Sequence, residues 1–360
     1  MNPVLRTPRL TLRPMTPEDA PRLAALANDP RVARMVSSIS QPYGVEQAEA
    51  FIARHPLLEE EGGRVWAICD SDGLQGAMGL HADPLRRAEA ELGYWLGFEV
   101  WGRGYATEAG RAVVAEGFAR GGSGEGFAEI TAGYFADNPA SGNALRKLGF
   151  RDKGETRAVF CQARGEEVDC LRLDLSAEDA PPPPPFLETG RLILAPLQDE
   201  QAAELARIGN DPEIARRMAN LPSPFTEAAA LERIRASRFR GAPGFRLGLT
   251  RKADGALIGE WGVGPKDAAG APDVSYWLSR AAQGQGCARE ASAALLDYLF
   301  TTLKAPAVRA ERLKTNAASG RLLEALGFES SGEYPLGDEA VVLYELTRAA
   351  WKDRREEGAA

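Results

Sequence analysis

The stretch Trp101-Gly102-Arg103-Gly104-Tyr105-Ala106-Thr107-Glu108 is the most informative segment of this chain, and it has a second copy. That copy reads Gln283-Gly284-Gln285-Gly286-Cys287-Ala288-Arg289-Glu290, 182 residues later. Each copy follows a segment patterned as a strand and precedes one with helical spacing of apolar residues. Glycines let the backbone turn tightly and approach a ligand, and the helix that follows adds unpaired N–H groups. The segment therefore predicts a site for a phosphate or pyrophosphate.

The rest of the chain repeats in the same register. At the offset of 182, Arg9-Leu10 matches Arg191-Leu192, Asn28-Asp29-Pro30 matches Asn210-Asp211-Pro212, and Tyr94-Trp95-Leu96 matches Tyr276-Trp277-Leu278. After a shortened loop the offset becomes 178, where Asn138-x-x-Ser141 matches Asn316-x-x-Ser319 and Leu148-Gly149-Phe150 matches Leu326-Gly327-Phe328. Chance does not keep one register over so long a stretch, so the chain is a tandem duplication.

Five consecutive prolines, Pro181–Pro185, separate the two copies. Such a run forms neither a helix nor a central strand and extends as polyproline II. We therefore expect a first domain at 1–175, a Pro-rich linker at 176–187, a second domain at 188–350 and a polar tail at 351–360 that frays.

The pattern within each copy predicts an α+β fold. Its order is strand, helices, several meandering strands, helix, strand, helix and strand, which is not a regular βαβ repeat. In the first copy the pattern places strands at 10–12, 65–70, 76–80, 91–96, 130–134 and 168–175, a helix after the glycine turn, and a short helix at 141–148.

Composition narrows the classes of function. The 360 residues include 43 Lys and Arg against 51 Asp and Glu, a net charge of −8 that argues against nucleic-acid binding and favours a cationic substrate such as an amine. Apolar runs are far shorter than the ~20 residues that a membrane-spanning helix needs. Four cysteines without a CxxC pair and two histidines do not complete a standard metal site. We therefore expect a cytoplasmic protein without a metal.

Two common phosphate-binding motifs do not fit the glycine turn. A dinucleotide-binding fingerprint needs Gly or Ala three residues after the second glycine, where this chain has Thr107 and Arg289. The sequence Gly-Lys-[Ser/Thr] of a Walker-type loop occurs nowhere in the chain.

Four motifs in order resemble those of the GNAT superfamily. They are Arg9-Leu10-x-Leu12-Arg13, Leu92-Gly93-Tyr94-Trp95-Leu96, the glycine turn with Glu108-Ala109, and Asn138-x-x-Ser141 ending in Lys147-Leu148-Gly149-Phe150. The chain most resembles the RimJ/RimL branch of ribosomal-protein N-terminal acetyltransferases. The resemblance covers nearly all of residues 7–175 and, more loosely, 188–350.

This resemblance implies two tandem GNAT domains, each with a mixed, mostly antiparallel sheet that is splayed between strands 4 and 5 and flanked by helices. It implies that acetyl-CoA binds in the wedge, with its pyrophosphate at residues 101–107 and, in the second copy, at 283–289. A backbone N–H of the strand at 91–96 would lie near the thioester carbonyl. Asn138 would bind the pantetheine arm or the substrate, and Ser141 would lie near the sulfur. Asn316 and Ser319 correspond to them.

Catalysis of N-acetylation needs a neutral amine and help for the departing thiolate. A protein α-amine, with a pKa near 7.8, is easier to deprotonate at neutral pH than a lysine, with a pKa near 10.4, and this chain is poor in bases. We therefore favour an α-amine, with Glu91 as the first candidate base. Glu91 could instead be a solvent-facing carboxylate, Glu108 a stabiliser of the helix start, and His81 either a cleft residue or an ordinary surface histidine.

The proton donor is less evident from the sequence. Many GNAT enzymes have a tyrosine seven residues after the motif asparagine, whereas this chain has Leu145 and Leu323 there. The RimJ/RimL branch also lacks that tyrosine. Ser141 is a weak acid, so its expected role is a hydrogen bond to the sulfur, or only the first turn of a helix.

Three functions remain open at this stage. They are acetyl transfer to a protein N-terminus, the same chemistry on a small amine, and a coenzyme A-binding sensor without turnover. We expect coenzyme binding in both copies and catalysis first of all in the first, in a monomer or a homodimer. Residues 28–45 and 154–167 are expected to be loops that line the acceptor site.

Overall fold

The computed structural model describes residues 3–86, 88–120, 126–218 and 221–357. The chain divides into two compact units, Met1–Pro183 and Pro184–Ala360. Residues 180–186, which include the proline run, form neither a helix nor a strand. Among the described residues, each unit contains an eight-stranded mixed sheet flanked by helices, which confirms the predicted fold class.

The strands of the first unit are β1 (Leu5–Arg6), β2 (Thr11–Arg13), β3 (Arg64–Asp70), β4 (Gly73–Ala82), β5 (Glu89–Leu96), β6 (Glu129–Phe135), β7 (Arg151–Cys161) and β8 (Glu166–Ser176). Its helices are α1 (Ala20–Ala27), α2 (Pro30–Ala33), α3 (Val45–Ala53), α4 (His55–Glu60), α5 (Tyr105–Arg120) and α6 (Pro139–Lys147). The order of strands in the sheet is β1-β2-β3-β4-β5-β6-β8-β7.

The second unit repeats this arrangement. Its strands are β9 (Leu187–Glu188), β10 (Leu192–Ala195), β11 (Phe245–Arg251), β12 (Leu257–Lys266), β13 (Pro272–Leu278), β14 (Ala307–Leu313), β15 (Glu329–Leu336) and β16 (Glu339–Thr347). Its helices are α7 (Ala202–Gly209), α8 (Pro212–Arg217), α9 (Glu227–Ala236), α10 (Cys287–Thr301), α11 (Ala317–Leu326) and α12 (Arg348–Glu357). The sheet order is β9-β10-β11-β12-β13-β14-β16-β15.

Local sequence explains several of these elements. Strand β4 begins directly after a two-residue turn from β3, with Gly73 at φ +101°, and in this turn Asp70 Oδ1 accepts a hydrogen bond from Asp72 N at 2.9 Å. Helix α6 begins after Asn138, whose side chain caps it, with Pro139 as the first helical residue.

Apolar side chains pack on both faces of the first sheet. On the face covered by α5 and α6, here called the α5 face, Leu92 and Ile130 pack with Val113 and Leu145. On the opposite face, called the α1 face, Trp95 packs against residues of α1 and α3. Because successive side chains of a strand point to opposite faces, the even-numbered residues of β5 face α5 and the odd-numbered ones face α1.

The sheet opens at its only parallel pair among the described strands, β5 with β6. Pairing runs from Glu89 opposite Glu129 to Leu92 opposite Ala132, although both strands continue further. In the second unit, β13 pairs with β14 only at Asp273 and Val274. The predicted splay is therefore present in both units. It lies between β5 and β6, which are strands 4 and 5 of the prediction because the short strand β1 precedes the predicted first strand.

Two sequence-based expectations about the elements were wrong. Residues 154–167 are not a loop, since β7 extends to Cys161 and β8 starts at Glu166. Strand β7 is exposed along most of its length at the sheet edge, so it lacks the alternating apolar pattern that identifies a half-buried strand. Of the expected polar tail at 351–360, residues 351–357 instead belong to α12, and residues 358–360 lie outside the described part of the chain. Trp351 anchors this helix, with 6% exposure and a hydrogen bond from Nε1 to Asp297 Oδ1 at 2.9 Å.

Candidate active site

The glycine turn forms an open bend at the start of α5. Gly102 and Gly104 have φ angles of +76° and +80°, and Gly284 and Gly286 have +73° and +77° in the second unit. L-residues rarely adopt such angles, which explains the glycines. A methyl group placed on Gly102 or Gly284 would meet no atom within 4 Å, and residues 101–104 are exposed. Side chains therefore do not fill the bend, and the unpaired N–H groups of the first helical turn are accessible to an anion.

An ion pair fixes this bend to the first strand segment of the unit. Glu108 accepts hydrogen bonds from Thr7 Oγ1 at 2.6 Å, from Arg9 N at 2.9 Å and from Arg9 Nε at 2.7 Å. Arg9 Nη1 in turn donates to the carbonyl oxygen of Arg103 at 2.9 Å. We call this set of contacts the clamp.

The second unit contains the same clamp. Its distances are 2.6, 2.8, 2.7 and 2.9 Å between the corresponding atoms of Thr189, Arg191, Glu290 and Gln285. The carboxylates at 108 and 290 are thus fully engaged in holding the bend. This agrees with the structural interpretation of Glu108.

The other residues of the bend have distinct environments. Trp101 is 40% exposed, and its Nε1 donates to the carbonyl oxygen of Leu96 at 2.8 Å. Gln283 replaces it and donates through Nε2 to the corresponding carbonyl of Leu278 at 3.0 Å, so the exchange preserves the hydrogen bond. Cys287 is a buried free cysteine, as expected of a small residue that is not a nucleophile.

Asn138 and Ser141 lie at the start of α6, on the α5 face. Asn138 Oδ1 accepts a hydrogen bond from Ser141 N at 3.2 Å. Ser141 Oγ lies 2.8 Å from the hydroxyl oxygen of Tyr94, and either of the two can be the donor. Burial raises the pKa of the Tyr94 phenol, so it stays protonated at neutral pH. In the second unit, Tyr276 donates to Ser319 Oγ at 3.3 Å and Asn316 caps α11.

Glu91 lies on the opposite, α1 face of β5. Its Oε1 accepts a hydrogen bond from Arg172 Nη1 at 2.6 Å, and 49% of its side chain is exposed. The structure therefore does not place Glu91 beside Ser141. The two residues lie on opposite sides of the sheet and flank the gap between β5 and β6.

His81 is paired with Glu91 in the ladder between β4 and β5, so both side chains are on the α1 face. A methyl group on Gly79 would lie 3.4 Å from His81 Nε2, and one on Gly93 would lie 3.6 Å from it. The imidazole thus extends over these two glycines toward the residues where β5 and β6 separate. Partial removal from water lowers the pKa of His81 below its ordinary 6.5, although Glu91 acts in the opposite direction.

A cavity of about 510 Å³ adjoins this position. Its lining includes His81, Glu91, Thr131, Lys153, Arg157 and Arg172. One edge of the α1 face is formed by the turn after β7: Gln162 N donates to the carbonyl oxygen of Ser37 at 3.1 Å, and Arg164 Nε to that of Arg34 at 2.7 Å. The two segments predicted to line an acceptor site thus contact each other.

A cavity of about 480 Å³ lies on the α10 side of the second unit. Its lining includes Tyr276, Gly284, Gly286, Arg289, Asn316 and Ser319. In the part of the chain that the structure describes, no group of three or more His, Cys, Asp or Glu residues is arranged to hold a metal ion. No described helix has the length and apolar character needed to cross a membrane.

The sequence model for the family described as "Acetyltransferase (GNAT) domain" matches this chain twice, at residues 9–151 and 191–329. The chain belongs to the GNAT acetyltransferase family. It is therefore an acetyltransferase-family protein with two GNAT domains in tandem, and the donor used by this family is acetyl-CoA. The open bends and the splayed sheets are compatible with that ligand in both domains.

Known proteins similar to this GNAT chain match about half of it. It is 35% identical over 165 residues to the uncharacterized N-acetyltransferase YoaA of Bacillus subtilis, covering 45% of this chain and 90% of YoaA. It is 31% identical over 174 residues to the uncharacterized N-acetyltransferase p20 of Bacillus licheniformis, covering 48% and 94%. A solved structure of the ribosomal-protein α-N-acetyltransferase RimL with coenzyme A shares 18% identity at a TM-score of 0.43, covering 48% of this chain and 98% of RimL.

Sequence reasoning did not identify two of the residues at this site. Arg172 has no local motif, because its partner Glu91 is 81 residues away. Tyr94 was not assigned a role at the site, although its repetition as Tyr276 was a usable signal. His81 was considered, but the glycines beneath its imidazole, which mark a close approach within a strand, were not connected to it.

Proposed function

We propose that the first domain transfers the acetyl group of acetyl-CoA to the α-amine at the N-terminus of a protein or peptide. The main support is the position of His81 Nε2, over Gly93 on the α1 face, near the end of the β5–β6 pairing. An amine that enters from the cavity on this face would reach the gap between the strands beside a neutral imidazole.

The bend at 101–107 would hold the pyrophosphate through backbone N–H groups, in agreement with its open geometry. Asn138 would orient the pantetheine arm with its side-chain N–H group, because its Oδ1 already caps α6. The edge of β5 beyond Leu92 has no ladder partner on β6, so its backbone can offer a donor to the carbonyl oxygen of the acetyl group. Acetyl-CoA, when bound, supplies the activated acetyl group.

The low pKa of His81 favours an α-amine as the acceptor. Proton transfer to a base with a pKa below 6.5 costs at least about 2 kcal/mol from an α-ammonium with pKa near 7.8. From a lysine ammonium with pKa near 10.4 the cost is at least about 5 kcal/mol. Only the first cost is small compared with the barriers of enzymes that turn over at ordinary rates.

Glu91 has a supporting role in this proposal. The sequence favoured its carboxylate as the base, but Arg172 Nη1 already donates a hydrogen bond to its Oε1 at 2.6 Å. We assign the proton acceptor to His81 Nε2 and assign to Glu91 the stabilisation of the imidazolium that forms.

Protonation of the departing sulfur is assigned to Ser141 and Tyr94. Ser141 Oγ and the phenol of Tyr94 form a hydrogen-bonded pair on the α5 face, and the phenol keeps its proton at neutral pH. In the complete reaction the amine nitrogen bonds to the acetyl carbon and the carbon–sulfur bond breaks. The amine proton passes to His81 Nε2, and the sulfur receives a proton through the Tyr94–Ser141 pair. Water then takes the proton from the imidazolium and returns one to the pair, which restores both groups.

The test is acetyl transfer by the full chain to matched peptides. One peptide has a free N-terminus and no lysine, and its partner has a blocked N-terminus and one lysine. We expect release of coenzyme A thiol with the first peptide and acetylation of its α-amine by mass spectrometry. The blocked peptide should react roughly 10²-fold more slowly at pH 7, since far less of its amine is neutral.

The same assay separates the alternatives. Faster turnover with polyamines or aminoglycosides than with any free N-terminus would replace the peptide acceptor by a small amine. Coenzyme A binding without thiol release in the whole panel would make the protein a sensor. A preference for the N-termini of ribosomal proteins would place it in the RimJ/RimL branch, which at present rests on the sequence motifs.

A further inference from the structure

The two domains share the coenzyme side of the site but differ on the acceptor side. On the coenzyme side, the positive φ angles of the bend, the clamp, the capping asparagine and the Tyr–Ser pair all recur. The second domain also has Arg289 in place of Thr107. Arg289 adds a cation to the first turn of α10, and it lines the 480 Å³ cavity.

The acceptor side of the second domain has lost the imidazole. Gly262 pairs with Ser275 in the second domain as Gly79 pairs with Gly93 in the first. Two residues after Gly262, Gly264 stands at the position of His81. The carboxylate of Asp273, the counterpart of Glu91, lies against Gly264 and takes part of the space where the imidazole would be.

An arginine extends over the small residues in place of the imidazole. A methyl group on Gly262 would lie 2.6 Å from Arg246 Nη1 and 2.8 Å from Ser275 Oγ. Arg246 Nη1 donates to Glu260 Oε1 at 2.9 Å, and Arg233 Nη2 donates to the same oxygen at 2.8 Å. Glu260 is 1% exposed, so Arg246 is held in this position from the interior.

The ion pair of the first domain is also missing. Arg172 pairs with Gly133 in the β6–β8 ladder, and the corresponding pair in the second domain is Leu343 with Glu311. Leu343 has no charge to orient a carboxylate at 273. A guanidinium at neutral pH cannot accept a proton, and its charge opposes the approach of an ammonium group.

We propose that the second domain binds coenzyme A or its thioester and does not transfer the acyl group, because Arg246 occupies the place of the proton-accepting imidazole. The proposal rests on the proposed function of the first domain. The chain then contains two coenzyme sites and one site of transfer.

The experiment uses the full chain and a matched pair of substitutions. Ala106 and Ala288 are the second residues of α5 and α10, both half-buried at the cleft, and neither requires a positive φ. Calorimetric titration with coenzyme A should give two sites in the unchanged chain, one in Ala106→Trp, one in Ala288→Trp and none in the double variant. Acetyl transfer should fall to below about 1% in Ala106→Trp although that variant still binds one coenzyme A.

A second variant tests the same proposal without blocking a cleft. His81→Ala with Glu91→Gln changes two exposed side chains, so we expect the fold and two-site binding to remain while transfer is lost. Circular dichroism is the control that tests whether each variant is folded.

Two results would overturn the proposal. One is transfer above about one tenth of the original rate in Ala106→Trp or in the double acceptor-side variant. The other is a single coenzyme site in the unchanged chain that Ala106→Trp removes. Two bound equivalents in a chain that acetylates no amine would instead reject the proposed function of the first domain and support coenzyme binding without transfer in the second.

Discussion

In both domains, side chains of other residues lie over glycines of the sheet. His81 Nε2 lies over Gly79 and Gly93, at van der Waals distances of 3.4 and 3.6 Å from the positions that methyl groups would occupy. At Gly79 the groups that approach most closely are Val65 Cγ2, at 2.9 Å, and the carbonyl oxygen of Arg64, at 3.0 Å, so a methyl group there would require a shift. In the second domain the equivalent space holds Arg246. At this position the two domains therefore differ by single side chains, His81 in the first and Arg246 in the second.

His81→Gln should lower kcat/KM for acetyl transfer by roughly 10²-fold or more above pH 6.5, since it removes the proton acceptor. The pKa of His81 is lowered, so the imidazole is neutral above that range and becomes protonated as the pH falls. The ratio of unchanged to variant activity should therefore shrink at low pH. Ionisation of the amine affects both proteins equally and cancels in this ratio. Measuring kcat/KM for the unchanged protein and for His81→Gln from pH 5 to 9 tests this prediction.

The control for this prediction is Glu91→Gln. It keeps the size of the side chain and removes the negative charge beside Arg172 and His81. We expect a fall of no more than about tenfold, since a role in stabilising a charge contributes less than loss of the acceptor. A larger effect for Glu91→Gln than for His81→Gln would return the role of base to the carboxylate.

At the scale of elements, the first turn of α5 is shaped by contacts with a distant segment. The clamp connects Glu108 in that turn to Thr7 and Arg9 before β2, and through Arg9 to the carbonyl of Arg103 in the bend. The orientation of the first turn of α5 therefore depends on these contacts and not on the helix alone. The segment between β1 and β2, about a hundred residues away in the sequence, fixes the N–H groups that would bind the pyrophosphate.

Glu108→Gln should weaken coenzyme A binding at the first-domain site about tenfold and lower the stability of that domain by about 2 kcal/mol. The amide keeps the shape but loses the charge-assisted hydrogen bonds from Arg9. Titration calorimetry and denaturant unfolding measure the two effects. Unchanged affinity in this variant would mean that the bend is stable without the clamp.

The matched control is Glu290→Gln in the second domain, which should leave the first-domain site unchanged. Its effect on stability should be smaller, about 1 kcal/mol, since Arg191 is 54% exposed against 36% for Arg9.

Burial would raise the pKa of Glu290, but the hydrogen bonds from Thr189 and Arg191 outweigh it and hold the pKa below 4.5. The contribution of the ionised Glu290 carboxylate to the stability of the second domain is present above about pH 4.5. It is lost as the pH falls further, because the carboxylate becomes protonated.

At the scale of the whole molecule, each unit has its own buried cores. In the first unit, Leu12, Trp66 and Ile130 are fully buried among residues of that unit, as are Leu194, Leu247 and Leu299 in the second. The boundary between the units falls within the proline run, between Pro183 and Pro184. Among the described residues, each of these two buried clusters therefore belongs to a single unit.

Residues 1–183 and 184–360 should therefore fold separately when expressed alone, each with one cooperative unfolding transition. A matched fragment that ends at Phe150 lacks β7 and β8 and leaves the edge of β6 unpaired, so it should not fold. Circular dichroism with thermal unfolding provides the measurement. Failure of either half to fold, under conditions where the full chain does, would show that the domains depend on each other.

The resemblance to the GNAT superfamily implied the splayed sheet, whereas the residues themselves determined the duplication, the α+β class and the position of the glycine bends. These features depend on local rules, because a repeated register, a strand-to-helix turn and positive φ angles are all written in neighbouring residues. It also placed the candidate residues of the coenzyme side in the correct elements. It failed at β7, whose exposed edge position removes the alternating pattern, and at α12, whose stability depends on Trp351.

Tertiary structure alone decided how the proposed acceptor side of each domain is built. Strand pairing brings His81 and Glu91 to one face, and Arg172, 81 residues from Glu91, neutralises the carboxylate that the sequence favoured as the base. The same pairing places Arg246 over Gly262 in the second domain. A proton-transfer site depends on distances of a few ångströms between side chains from separate strands, and sheet register, which the whole core fixes, sets those distances.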